Sequence, residues 1–241
     1  MPVVLKLSSR RLLNTLLTCI VLVHIANAFA IWAKVAFNGE YYQITEFFDV
    51  GIEGNIPTIY SVLALVVASL VTFFVAYAAR SSSDKDGRYW FFLACVLLFL
   101  AFDEGATIHE HVGDLFESYY GGLATGFLYW LWVVPYGIAV IWLGAALFPF
   151  LLRLPAQTRN GCVGAGLIFI GGAIGVEMIS ASVYELHDGS SGKPLKYYLL
   201  YTLEEFMEML GVVIYIYYAH SFLAGMTTRI EFDLTTEGSQ S

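Results

Sequence analysis

The stretch "WFFLACVLLFLAFDEGATIHEH", residues 90–111, decides how this chain is read. Its first thirteen residues are apolar and belong in hydrocarbon. The next nine, Asp103 to His111, carry five ionisable side chains. Those five either cap a helix where it reaches water or build one wall of a buried site.

The surroundings favour a membrane. Hydrophobic residues make up 58% of the 241-residue chain and charged residues only 13%, with a mean hydropathy of +0.69. A soluble domain carries about 25% charged residues. The net charge of −8 excludes the basic face that nucleic acid requires, so the expected partner is the lipid bilayer. Cys19, Cys95 and Cys162 lie in or beside apolar runs without a C-x-x-C pair, which reads as buried, reduced thiols.

Crossing the hydrocarbon takes roughly 20 mostly apolar residues as a helix. Six stretches qualify: 12–36, 57–79, 89–112, 125–152, 161–183 and 198–224. The expected fold is therefore an all-α polytopic bundle. A single six-helix transmembrane domain spans 1–228 and a polar cytoplasmic tail spans 229–241. Pro57 suits the first turn of the second span, whereas Pro135 falls inside the fourth and predicts a kink. The small residues of "GAGLIFIGGAIG" (164–175) predict close approach to a neighbouring helix.

Orientation follows from Lys and Arg. With the N-terminus inside, the cytoplasmic segments hold Lys6, Arg10, Arg11, Arg80, Lys85, Arg88, Arg153, Arg159 and Arg229; the other side holds Lys34, Lys193 and Lys196. Both termini are thus expected in the cytoplasm, with the chain in a cell inner membrane. Residues 6–28, ending in "ANA", also resemble a cleaved signal peptide. The apolar run continues past that point through "FAIWAKVAF", which favours a retained first span.

Fifteen of the twenty acids fall on the outer side, and three groups reach a similar depth: Asp103, Glu104 and Glu110 with His109 and His111; Glu177; and Glu204, Glu205 and Glu208. At about 100° per residue, Asp103, Glu104, Glu110 and His111 share one face of a straight helix, and His109 falls on the other unless Gly105 loosens the helix there. Each ionisable residue inside a span costs about 2.5–3.5 kcal/mol and usually faces the bundle interior. No Lys or Arg lies at that depth in spans three, five or six, so the carboxylates must bind protons, a metal or an external cation.

Carboxylates with one or two imidazoles suit Fe, Mn or Zn. The expected metal ligands are Glu110, His111, His109, Glu177, Glu205 and Glu208, with Asp103 or Glu104 transferring protons. The natural chemistry is metal-assisted hydrolysis or oxidation of a lipid-like substrate. A proton- or cation-coupled transporter using the same acids, and an accessory subunit whose acids only tie helices together, are the alternatives. His24 is read as an interhelical hydrogen-bonding residue, and Trp130, Trp132, Tyr197, Tyr198 and Tyr201 as interfacial belts. The segment "YYQITEFFD" (41–49) is read as a short amphipathic helix roofing the site.

Four stretches, "EGNIPTIYS" (53–61), "FDEGATIHE" (102–110), "GGAIGVEM" (171–178) and "YTLEEFMEMLG" (201–211), resemble a group of uncharacterised bacterial multi-pass membrane proteins. The resemblance covers most of the chain from residue 50 onward. It implies a six-span inner-membrane protein, brings no activity with it, and keeps His109 in play beside Glu110. A broader likeness to integral-membrane metal hydrolases of the ceramidase and progestin-receptor type rests only on Asp, Glu and His within spans. Their metal sites are richer in histidine.

Overall fold

The computed structural model describes residues 8–37, 42–81, 85–187 and 193–226. Residues 38–40 and the polar tail, 229–241, lie outside them. Long apolar runs become helices because a helix satisfies every backbone polar group within the segment. These are α1 (Ser9–Ala36), the short α2 (Tyr42–Thr45), α3 (Ile56–Ser81), α4 (Gly87–Ala106), α5 (Ile108–Tyr120), α6 (Val133–Leu151), α7 (Ala156–Ile170), α8 (Glu177–Glu185) and α9 (Leu195–Gly225). A π-helical segment, Gly171–Val176, joins α7 to α8 in one continuous rod. Five rods are long and apolar enough to cross a membrane: α1, α3, α4, α6 and the α7–α8 rod. The described residues contain no strand.

α9 is the hub. Its 31 residues extend about 46 Å at 1.5 Å per residue, and it packs against α1, α3, α7 and α8. Ser9 Oγ lies 2.7 Å from His220 Nδ1, which ties the start of α1 to the end of α9. Both termini of the described bundle therefore lie at the same end. The loops 46–55 and 121–132 gather at the other.

Glycine sets the closeness of α7 and α9, as the small-residue stretch predicts. A Cβ on Gly211 would stand 2.8 Å from the Ala165 carbonyl oxygen, and one on Gly172 2.7 Å from that of Glu204. Between these helices and α3 and α4 lies an apolar core of Leu65, Ala68, Leu97, Ala101, Ala165, Val212 and Ile216. A second core at the terminal end joins Val75, Trp90, Leu147 and Phe150. There Arg153 forks onto Asp86, with Nε 2.9 Å and Nη2 2.6 Å from Oδ1.

Three expectations need correction. The third helix does not run to 112: it stops at Ala106, Thr107 takes left-handed backbone angles (φ 49°, ψ 40°), and α5 starts in a new direction. The fourth helix begins at Val133 rather than 125. Pro135 consequently sits in its first turn, where a missing N–H costs little; the proline inside the helix is Pro149. The roof over the opposite end is mostly turn, with α2 contributing a single turn.

Candidate functional site

The loop between α2 and α3 is locked down before it contributes anything. Asn27, fully buried in α1, donates through Nδ2 to Thr202 Oγ1 (3.0 Å) and accepts from Val50 N (3.1 Å). Asn55 donates to the carbonyls of Glu46 (2.8 Å) and Asp49 (2.6 Å). Lys34 pairs with the buried Asp49. Gly54 supplies the positive φ, 76°, that the turn needs. The fixed loop presents Glu53 inward.

Thr107 does the same for His109. The break re-aims the chain so that His109 Nε2 lies 3.2 Å from Glu53 Oε1 and Nδ1 lies 3.5 Å from Asp103 Oδ2. Asp103, 7% exposed, also accepts from the Tyr136 hydroxyl at 2.7 Å. The Trp132 ring packs 5.1 Å from the His109 ring. Burial works against a charge on His109, but the hydrogen bonds and negative charges of Asp103 and Glu53 prevail and push it up to about 10. Glu110 is raised by partial burial and by the charge of Glu53.

A cavity of about 510 Å³ collects these groups. Glu53 comes from the loop, Asp103 and Glu104 from α4, Glu110, Asp114 and Glu117 from α5, Glu177 from α8, and Glu204, Glu205 and Glu208 from α9. Against these ten acids, His109 is the single basic residue among the described ones, and no Lys or Arg lines the space. Ligand atoms of Glu53, His109 and Glu110 lie within 4.8 Å of one another, a spacing that one cation can bridge.

The cavity is graded. Glu110, Asp114 and Glu117 are exposed at its mouth. Along one wall, Trp132 Nε1 donates to Glu177 (3.3 Å), and Ser180 Oγ bridges Glu177 and Glu204 at 3.4 Å each. Glu177 stands directly after the π segment, whose wider turn resets the face that follows it. On the floor, Glu104 accepts from Ser61 and neighbours Glu205 and Glu208. Beneath, Glu104 and Glu208 meet Leu65, Phe169 and Val212 of the apolar core.

Of the residues singled out from sequence, Asp103, Glu104, His109, Glu110, Glu177, Glu205 and Glu208 meet here. His111 does not. It is exposed, its Nδ1 2.8 Å from the Thr107 carbonyl of its own helix. The straight-helix face is overturned at this point, because Thr107 exchanges the two histidines. Glu204, placed at this depth from sequence but not assigned as a ligand, joins them. Glu53 joins unforeseen; it stood in a quoted stretch whose loop geometry no periodicity reveals. Trp130, Trp132, Tyr197 and Tyr201 line the cavity, correcting their reading as a lipid-facing belt. His24 keeps a structural role, with Nδ1 2.9 Å from the Ile20 carbonyl and its ring edge-on to Phe206.

Among comparisons with known proteins, a family model described as a domain of unknown function, DUF8692, matches residues 15–222. No curated protein and no solved structure matches the chain.

Proposed function

We propose that this chain, which belongs to the DUF8692 family, is a six-span bacterial inner-membrane protein that binds a divalent metal in its outer carboxylate cavity. Five rods qualify as spans by length and composition. α9 is as long as they are and lies among them. The preponderance of Lys and Arg at the terminal end then sets both termini in the cytoplasm.

One observation carries the metal reading: ten acids and a single histidine, with no Lys or Arg, face one cavity, and three of their donors converge within 4.8 Å. Ionised carboxylates crowded out of water need a cation, and oxygen donors with one imidazole fit Fe, Mn or Zn. Glu53, His109 and Glu110 form the nearest ligand set, with Glu177, Glu205 and Glu208 behind them. Asp103 orients His109 through Nδ1 and leaves Nε2 toward the metal position, the arrangement by which outer carboxylates commonly fix a ligating imidazole. Glu104, hydrogen-bonded and beside the α9 acids, is placed to take up or return a proton. A bound metal supplies Lewis-acid polarisation and an acidified water. The reaction class is metal-assisted hydrolysis or oxidation of a lipid-like molecule entering from the outer leaflet. The apolar floor under Glu208 supports a blind site over a transport path.

Metal analysis of the purified full-length protein tests this reading. Stoichiometric Fe, Mn or Zn is expected, with loss of the metal and a retained helical spectrum in Glu205→Gln/Glu208→Gln. Metal-free protein whose melting temperature no tested divalent ion raises would overturn it. Electrogenic uptake in liposomes, abolished by Glu177→Gln, would replace it with coupled transport.

A further inference from the structure

Half of the cavity wall is not used by the metal reading. Trp130, Tyr184, Tyr197 and Tyr201 line the side built by α8, α9 and the loop before α6. Their rings form a continuous series: Trp130 to Tyr184 is 5.5 Å between centroids, Tyr184 to Tyr197 is 5.3 Å, and Tyr197 to Tyr201 is 5.4 Å. The first two contacts are tilted and the third is edge-on, and each ring carries a negative π face. Glu177 and Glu204 stand beside them, held together by Ser180, and Tyr197 lies within electrostatic reach of both acids. Tyr201 is 7% exposed, with its hydroxyl beside Asp49. The wall therefore combines aromatic rings and two adjacent carboxylates.

The charge balance points the same way. A metal-ligating imidazole is neutral, so a divalent ion offsets two charges, against ten acids. An anionic substrate would be repelled by the remainder, while an organic cation gains from both the acids and the rings. The chain already shows this pairing in miniature: Lys193 Nζ lies 3.4 Å from the centroid of Tyr184.

We propose that the aromatic and carboxylate half of the cavity binds an organic ammonium group, between the faces of Trp130, Tyr184 and Tyr197 and the acids Glu177 and Glu204. This names the substrate class of the site proposed above as an amine-bearing molecule. It rests on that reading only for the reaction, because holding the ammonium requires no metal. Glu177 divides the two halves: Trp132 reaches it from the His109 side, and the tyrosines approach it from the other. A substrate held by its ammonium end would extend its remaining groups toward Glu53 and His109. The ammonium could belong to a lipid headgroup or to a free amine, since the recognising chemistry is shared.

The full-length protein in phosphatidylglycerol nanodiscs, with metal content measured on the same sample, provides the test. Spermidine is titrated in one arm, and increasing mole fractions of phosphatidylethanolamine replace phosphatidylglycerol in the other. The fluorescence of Trp130 and Trp132 reports occupancy. Saturable binding is expected in at least one arm, identifying a free amine or a headgroup. It should weaken at least tenfold in Tyr184→Leu and in the nearly isosteric Glu204→Gln, and persist in Tyr184→Phe and in His111→Ala, whose ring is exposed outside the cavity. Absence of saturable binding in both arms, or binding undiminished by Tyr184→Leu and Glu204→Gln, would overturn the proposal. If Tyr184→Leu does not fold, Glu204→Gln and the wild-type titrations decide. Metal without ammonium binding defeats this inference alone, and ammonium binding without metal defeats the metal reading alone.

Discussion

His109 and Asp103 face each other across a one-residue break, with Nδ1 3.5 Å from Oδ2, although they would stand about 120° apart on a straight helix. The pair exists because Thr107 adopts φ 49° and lets α5 leave the axis of α4. A side chain in that region is strained by about 1–3 kcal/mol. The strain is retained where it brings a histidine into an acidic cavity.

Thr107→Gly should therefore stabilise the protein by about 1 kcal/mol, since glycine adopts this conformation freely. Metal affinity should be unchanged. Thermal unfolding in detergent with and without metal checks both statements; a loss of stability would show that the Thr107 side chain, not its backbone, holds the break.

The two histidines should separate cleanly. His109→Ala is expected to abolish metal binding, whereas His111→Ala, whose ring bonds only to the Thr107 turn, should bind as the wild type does. Asp103→Asn keeps the shape but removes the charge behind His109 and should weaken metal binding by about 10–100-fold. Competition titrations against a chelator measure all three.

Removing an acid from the floor should have opposite effects on the two forms of the protein. In Glu208→Gln the metal-free form no longer buries an acid beside Glu104 and Glu177 and should melt at a higher temperature than metal-free wild type. Added metal should raise it no further, whereas in wild type a ligand at a hundred times its dissociation constant contributes about 2.7 kcal/mol. Parallel melting curves with and without metal reveal whether the two effects cross.

Asn27 is predicted to act on the site from a distance. Asn27→Leu removes the bonds to Val50 and Thr202; Thr202 keeps its bond to the Tyr198 carbonyl, but the Val50 N–H is left buried and unpaired, at a cost of about 1–3 kcal/mol. Glu53 should lose its fixed position. Hydrogen exchange over residues 46–55 should accelerate, and metal affinity should fall.

Gly211 and Gly164 should respond oppositely to alanine. At Gly211 a Cβ meets the Ala165 carbonyl at 2.8 Å and Phe169 at 2.9 Å, whereas at Gly164 nothing lies within 4 Å. Gly211→Ala should destabilise by about 1–3 kcal/mol through overpacking. Gly164→Ala should be neutral or stabilise by up to about 1 kcal/mol through helix propensity. Unfolding of the two single variants under identical conditions decides.

The apolar runs, the small-residue face of α7 and the gathering of acids at one end follow from the sequence alone. Each is local: an apolar run long enough to satisfy its own backbone needs no knowledge of its neighbours, and charge repulsion within one end follows from counting. Only the tertiary structure decided which histidine enters the cavity. A periodicity argument assumes an unbroken helix, and one residue at positive φ was enough to exchange His109 for His111. Glu53 needed a loop fastened by Asn27 and Asn55, groups far apart in sequence. Trp130, Trp132 and Tyr197 read as interfacial belts until the elements carrying them closed around a shared space. The chemistry the site can do depends on those non-local contacts, because a single cation must be reached at once by donors from a loop and several helices.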